Sequence, residues 1–208
     1  MTLAAWLAFL ELAAIVAGAA SGLLVAARQR LDVVGATVVA SATAFGGGTL
    51  RDVLLDRRPF FWVEHHVYLW GVIGFSLLAW PLLVRGRISL SEKMLVIPDA
   101  VGLGLFGATG VGLATQAGMP VLIAVLMGVV TATFGGLLRD LLCNRLPVVL
   151  HDHRPYAICA FVGAWIQIGL TRIDIDPSTA ALAGAIVAAV FRLIAWWRDW
   201  RLPGWPSP

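Results

Sequence analysis

The chain twice sets an arginine–aspartate pair behind a run of glycines. Phe45, Gly46, Gly47, Gly48, Thr49 and Leu50 lead into Arg51 and Asp52; Phe134, Gly135, Gly136, Leu137 and Leu138 lead into Arg139 and Asp140. In apolar surroundings these residue types point to ion chemistry. Glycine permits a helix to break and lets backbone approach backbone. A helix broken inside a membrane exposes carbonyl oxygens that protein, or water lining a cavity, must satisfy. Such carbonyls coordinate cations in channels and transporters. Asp52 and Asp140 would raise the cation concentration at each mouth, while Arg51 and Arg139 fix the bent helices. A plainer reading stands beside each. Small residues also mark tight helix crossings, and an Arg–Asp pair near a helix end also serves as an interfacial cap.

The two elements are copies. Arg51 and Arg139 stand 88 residues apart, and the same offset pairs Gly47 with Gly135, Gly48 with Gly136, Pro59 with Pro147, Tyr68 with Tyr156 and Gly22 with Gly110. Glu11 and Asp99 also correspond, each early in an apolar run, as members of an ion path or as interfacial residues. Tyr68 and Tyr156 open their spans either as interface anchors, the commoner role, or with hydroxyls turned to a pore. His65 and His66 beside Glu64, and His151 and His153 around Asp152, fall in corresponding breaks. Inversion of the second copy would put these clusters on opposite sides of a membrane, which argues against a shared metal site and for solvated loop histidines.

Composition fixes the surroundings. The chain is 60% hydrophobic and 13% charged, where a soluble domain carries roughly 25% charged residues. Its mean hydropathy is +0.88. Too little polar sequence is present to cover a soluble surface, so the predicted partner is the lipid bilayer. The net charge of +3 is spread over short breaks without a basic stripe, which excludes nucleic acid. The two cysteines, Cys143 and Cys159, read as free thiols. Glycine-rich phosphate loops, zinc spacings and nucleophile elbows are missing, so no enzyme and no cofactor are expected.

Bilayer crossing needs about 20 apolar residues. Spans are predicted at 6–27, 33–50, 67–84, 96–117, 120–138, 156–170 and 179–197. Gly118 and Pro120 divide the long uncharged run between Asp99 and Arg139. The fold class is therefore an all-α integral membrane protein with seven transmembrane helices: a three-helix repeat over 1–90, an inverted three-helix repeat over 91–175, and a seventh helix with its tail over 176–208. Small residues in spans one and four suit a crossing at the pseudo-axis, and the alanine-rich span seven suits a brace. Arg51, Arg57, Arg58 and Arg172 fall in breaks on one side, and the other eleven of the 15 Lys and Arg residues on the opposite side. That asymmetry predicts the N-terminus outside and the C-terminus in the cytoplasm.

The doubled Gly-Gly-x-x-Arg-Asp element, with Asp99 to Leu103 heading the second repeat, resembles the prokaryotic trimeric intracellular cation channel family over essentially the whole chain. A domain name used for that family refers to glycine transport. The resemblance implies a seven-helix subunit, a homotrimer in the cell inner membrane, and a pore for potassium and sodium within each protomer. It also implies that the second and fifth membrane helices line the pore. Carried over, those helices hold Gly46, Gly47, Gly48, Phe134, Gly135 and Gly136, which with Arg51, Asp52, Arg139 and Asp140 at the mouths become pore-lining or gating residues; Phe134, standing where a third glycine could, either makes the inner break less open or places an aromatic at the constriction. Gly47→Leu is then expected to block flux without disturbing assembly. Because inverted repeats also mark secondary transporters, the alternative is a carrier of glycine or a similar small amino acid.

Overall fold

The computed structural model describes residues 3–85 and 91–203, with side chains from Trp6 onward; Arg87, counted above on the cytoplasmic side, lies outside the described residues. Seven long helices carry the fold: α1 (Leu3–Arg28), α2 (Val33–Leu54), α4 (Val67–Val84), α5 (Glu92–Gln116), α6 (Val121–Leu142), α8 (Ala157–Arg172) and α9 (Pro177–Trp197). Two single-turn helices, α3 (Phe61–Glu64) and α7 (Val148–His151), follow α2 and α6 at corresponding places in the two repeats. The protein is all-helical among the described residues. Six of the helices are long and apolar enough to cross a membrane, and α8 is a shorter apolar helix of 16 residues. Many large apolar side chains point outward, Trp70, Leu78 and Ile186 among them, as a lipid-facing surface requires.

Local signals set the ends. The Asp32 carboxylate caps α2 by accepting from the Gly35 amide at 2.7 Å. Asp176 caps α9 by accepting from Ser178 and Thr179, with Pro177 opening the helix. Gly118, at φ +71°, turns the chain after α5.

The packing follows the repeat. α1 lies on α2 as α5 lies on α6, and the halves meet through α1 against α5 and α2 against α6. Gly18 meets Phe106 at the first crossing; these two residues correspond under the 88-residue offset. α9 covers the second repeat, packing on α5 and α8. A Cβ at Gly104 would lie 2.2 Å from the Ala185 carbonyl oxygen, so α5 and α9 touch backbone to backbone there. Gly104→Ala must push α9 away, and the thermal midpoint of the detergent-purified protein is expected to fall by at least about 2 °C. An unchanged midpoint would refute the close crossing.

One expectation is corrected. The α-helical backbone runs unbroken through Gly46, Gly47 and Gly48 in α2 and through Gly135 and Gly136 in α6. Neither glycine run frees carbonyls.

Candidate functional site

Each repeat builds a buried ion-pair cluster at the C-terminal end of its second long helix. In the first, the Arg51 guanidinium is fully buried. Its Nε donates to Asp52 Oδ1 at 2.9 Å, and its Nη2 lies 2.8 Å from that oxygen and 2.9 Å from Glu11 Oε1 of α1. The two Nη2 contacts are ion pairs out of line for hydrogen bonding, and Nη1 is buried with no protein partner. Asp52 Oδ2 accepts from the Phe61 amide at 2.9 Å, which ties the start of α3 back onto α2. Arg57, 40% exposed, reaches Asp52 at 3.3 Å.

The second cluster repeats the plan. Arg139 Nε donates to Asp140 Oδ1 at 2.9 Å, and Nη1 donates to Asp99 Oδ1 of α5 at 2.5 Å and to Ser21 Oγ of α1 at 2.6 Å. Asp140 Oδ2 accepts from the Val148 amide at 2.9 Å, holding α7 as Asp52 holds α3. Glu11 and Asp99 thus act as the distal carboxylates, each partnering the arginine of its own repeat. Asp52 and Asp140 are both buried and anchor the single-turn helices, and Asp140 also borders the cavity described below. Burying such charges is costly unless they are paired, and both arginines carry two carboxylates.

Between the clusters α2 and α6 cross on glycine. A Cβ at Gly47 would lie 2.1 Å from the Thr131 carbonyl oxygen, and one at Gly135 would lie 2.4 Å from that of Thr43. Thr43 and Thr131 are themselves 88 residues apart, so the crossing is symmetric. Each threonine hydroxyl bonds back to its own helix, Thr43 to Val39 and Thr131 to Met127, and packs against Gly22 or Gly110. Of the two sequence readings for these glycines, tight crossing describes Gly47 and Gly135. Gly48 admits the Phe61 ring and Gly136 the Tyr156 hydroxyl, a Cβ falling 2.4 and 3.1 Å from them.

A cavity of about 340 Å³ opens at the second cluster, walled by Asp99, Arg139, Asp140, Arg192 and residues of α7 and α9. Asp99 also borders a separate narrow void of about 20 Å³, lined by Ser21, Tyr156, Gly135, Gly136, Thr43 and Phe106 among others. Tyr156 is buried with the Arg192 guanidinium 4.8 Å over its ring, so it serves the site and not the membrane interface. Phe134 and Gly46 lie elsewhere. They line an apolar groove with Phe45, Trp62 and Leu138, and Phe134 does not border the narrow void. At the cavity's edge, hydrogen bonds from Arg154 and then Arg201 hold the exposed Asp199 carboxyl below its usual range. That latch contributes above the ordinary carboxylate range and is lost only as pH falls through the lowered value.

The sequence expectations omitted several of these residues from the site. Ser21, Thr43, Thr131 and Phe61 carry no charge to flag them. Glu11, Asp99 and Tyr156 were marked by the offset but not assigned to it. Arg192 lies near the end of predicted span seven, with no local pattern to tie it to the site.

Comparison with known proteins agrees with this architecture. The family model described as Glycine transporter matches residues 8–83 and 96–172, one match per repeat. A UPF0126 membrane protein of Vibrio cholerae is 38% identical over 84% of this chain and 72% of its own length. The UPF0126 inner membrane protein YadS of Escherichia coli is 37% identical over 85% of each chain. Among solved structures, the TRIC trimeric intracellular cation channel orthologue from Rhodobacter sphaeroides is 36% identical with a TM-score of 0.85, covering 92% of this chain and 98% of that one. A further TRIC cation channel structure gives a TM-score of 0.83 at 27% identity, covering 96% and 97%. The chain belongs to the glycine transporter family of the UPF0126 membrane proteins, the prokaryotic trimeric intracellular cation channel family.

Proposed function

We propose that the chain is a monovalent cation channel, passing potassium and sodium, with a pore inside each subunit of a homotrimer and walls contributed by α2 and α6. The observation that supports this reading is the charged 340 Å³ cavity, whose Asp99 also borders a narrow void reaching Gly135 and Thr43 at the α2–α6 crossing. Arg51 supports it from the other repeat: a fully buried guanidinium with Nη1 unpartnered needs water beside it. Both solved relatives compared above are TRIC cation channels by name, and one of them is called trimeric. The void of about 20 Å³ has room for roughly one water, so the conformation described here is closed at Thr43 and Gly135, and opening requires α2 and α6 to part at their crossing. The basic excess supports a cavity mouth on the cytoplasmic side of a cell inner membrane and an N-terminus outside. The catalytic apparatus of an enzyme and a resident cofactor have no place in this reading; the ligands are the permeant ions.

Asp99 is the carboxylate that borders both cavity and void, with Arg139 held also by Asp140. Asp99→Asn should therefore lower potassium conductance roughly tenfold by removing a negative charge from the cavity wall, and should also lower the thermal midpoint, because it takes one of two carboxylates from the buried Arg139. Planar-bilayer recording under a potassium gradient tests the conductance and its selectivity, and thermal unfolding of the detergent-purified variant tests the midpoint. A reversal potential far from the potassium value, or unchanged currents in the variant, would sink this reading.

A further inference from the structure

The mouth cavity is richer in cations than a cation route needs. Arg28, Arg139, Arg145, Arg154, Arg192 and Arg201 line it together with His151 and His153. Its wall carboxylates are Glu92, Asp99, Asp140 and Asp152, with Asp199 just outside. Each of these acids is already engaged. Asp99 and Asp140 hold Arg139, Asp152 holds Arg192, Glu92 and Asp199 hold Arg154, and Asp199 also holds Arg201. Arg28, from the end of α1, and Arg145, from the loop after α6, form no ion pair among the described residues. Arg192 adds a third unmet donor: it is 3% exposed, and its Nε is buried without a partner.

We infer that this cavity is a binding site for a phosphate group, held between Arg28, Arg145 and Arg192. Guanidinium groups match phosphate oxygens with paired N–H donors and stay charged at every accessible pH. The volume of about 340 Å³ is that of a small-ligand pocket and exceeds what one phosphate fills. Three arginines from α1, the α6–α7 loop and α9 converge there, so an occupant would tie both repeats to the seventh helix. The phosphate's source is either a soluble anion or a lipid headgroup. The site does not rest on ion conduction. If the chain conducts as proposed, a seated phosphate would also offset the positive charge that opposes cation entry.

Binding is tested on the full chain purified in a neutral detergent. Equilibrium dialysis with radiolabelled orthophosphate, at constant ionic strength set by chloride, reads the soluble source. Reconstitution in phosphatidylcholine nanodiscs doped with phosphatidic acid, followed by mass spectrometry of the lipid retained, reads the headgroup source. Saturable orthophosphate binding that weakens at least tenfold in the Arg28→Gln/Arg145→Gln variant supports the site with a soluble occupant. Selective retention of phosphatidic acid, lost in the same variant, supports it with a lipid occupant. Neither form of binding, or binding undiminished in the variant, overturns the proposal. Arg28 is exposed and Arg145 partly exposed, and Arg145→Lys serves as a second variant that keeps charge but loses the paired donors. Potassium flux is not part of this readout, so its absence would leave the result standing.

Discussion

Arg139→Gln is expected to yield little folded protein. The substitution removes the group that Asp99, Asp140 and Ser21 share, at a position only 4% exposed. Two carboxylates are then left together without a counter-charge, and breaking a buried pair in this way costs about 3–5 kcal/mol. That is a large part of the roughly 5–15 kcal/mol by which domains are stable. Asp140 also holds the Val148 amide, so loss of its partner loosens the entry to α7. The measure is the thermal midpoint and elution profile of detergent-purified protein. Asp99→Asn/Arg139→Gln removes one of the stranded charges and should recover part of the loss, a coupling that single substitutions at independent sites do not show. By the repeat, Arg51→Gln should behave alike through Glu11 and Asp52. Arg57→Gln, at the exposed edge of that cluster, should change stability by less than about 1 kcal/mol. An Arg139→Gln protein as stable as its parent would mean that the cluster is not buried in charged form.

Gly47→Ala and Gly135→Ala should each destabilise the α2–α6 crossing, although alanine is the better helix former. The added methyl would sit 2.1 or 2.4 Å from a backbone carbonyl oxygen of the opposite helix. A backbone atom cannot swing aside as a side chain does, so the helices themselves must separate. The cost lies at or above the upper end of the roughly 1–3 kcal/mol that overpacking brings. Gly71→Ala and Gly74→Ala in α4 are the matched controls, because nothing lies within 4 Å of a Cβ at either place. Those two should leave the midpoint unchanged or raise it slightly. Gly47→Leu, expected from sequence to block flux in an intact assembly, is instead expected to fail at assembly. Equal behaviour of the Gly47, Gly71 and Gly74 variants would show that the crossing is looser than described.

The contrast between these glycines shows where sequence was informative. The 88-residue offset marked both Arg–Asp pairs, both prolines that precede the single-turn helices, and the Glu11–Asp99 correspondence, and hence the inverted halves. It did not decide what the glycines were for. A glycine in an apolar helix serves a break or a close approach equally well, and the choice rests on what lies opposite. Here the Thr131 and Thr43 carbonyls lie opposite, and both helices stay continuous. The offset linking Thr43 to Thr131 was visible in the sequence, but threonine in a membrane helix carries no sign of its neighbour. Phe134 was misplaced for a reason of phase. Residues four apart share a helix face, so Phe134 goes with Leu138 onto the apolar groove, while Gly135 faces the narrow void and Arg139 the 340 Å³ cavity. Arg192 meets Asp152 and Tyr156, about 40 residues earlier in the chain. Such long-range partners leave no local pattern.

Flux through reconstituted protein tests the central claim most directly. Liposomes holding the purified chain are loaded with potassium, a gradient is imposed, and potassium movement is followed beside uptake of radiolabelled glycine. The account predicts electrogenic potassium movement, reduced in Asp99→Asn, without glycine uptake. Saturable glycine uptake with little ion conductance would contradict it and make the polar cavity the substrate site of a carrier.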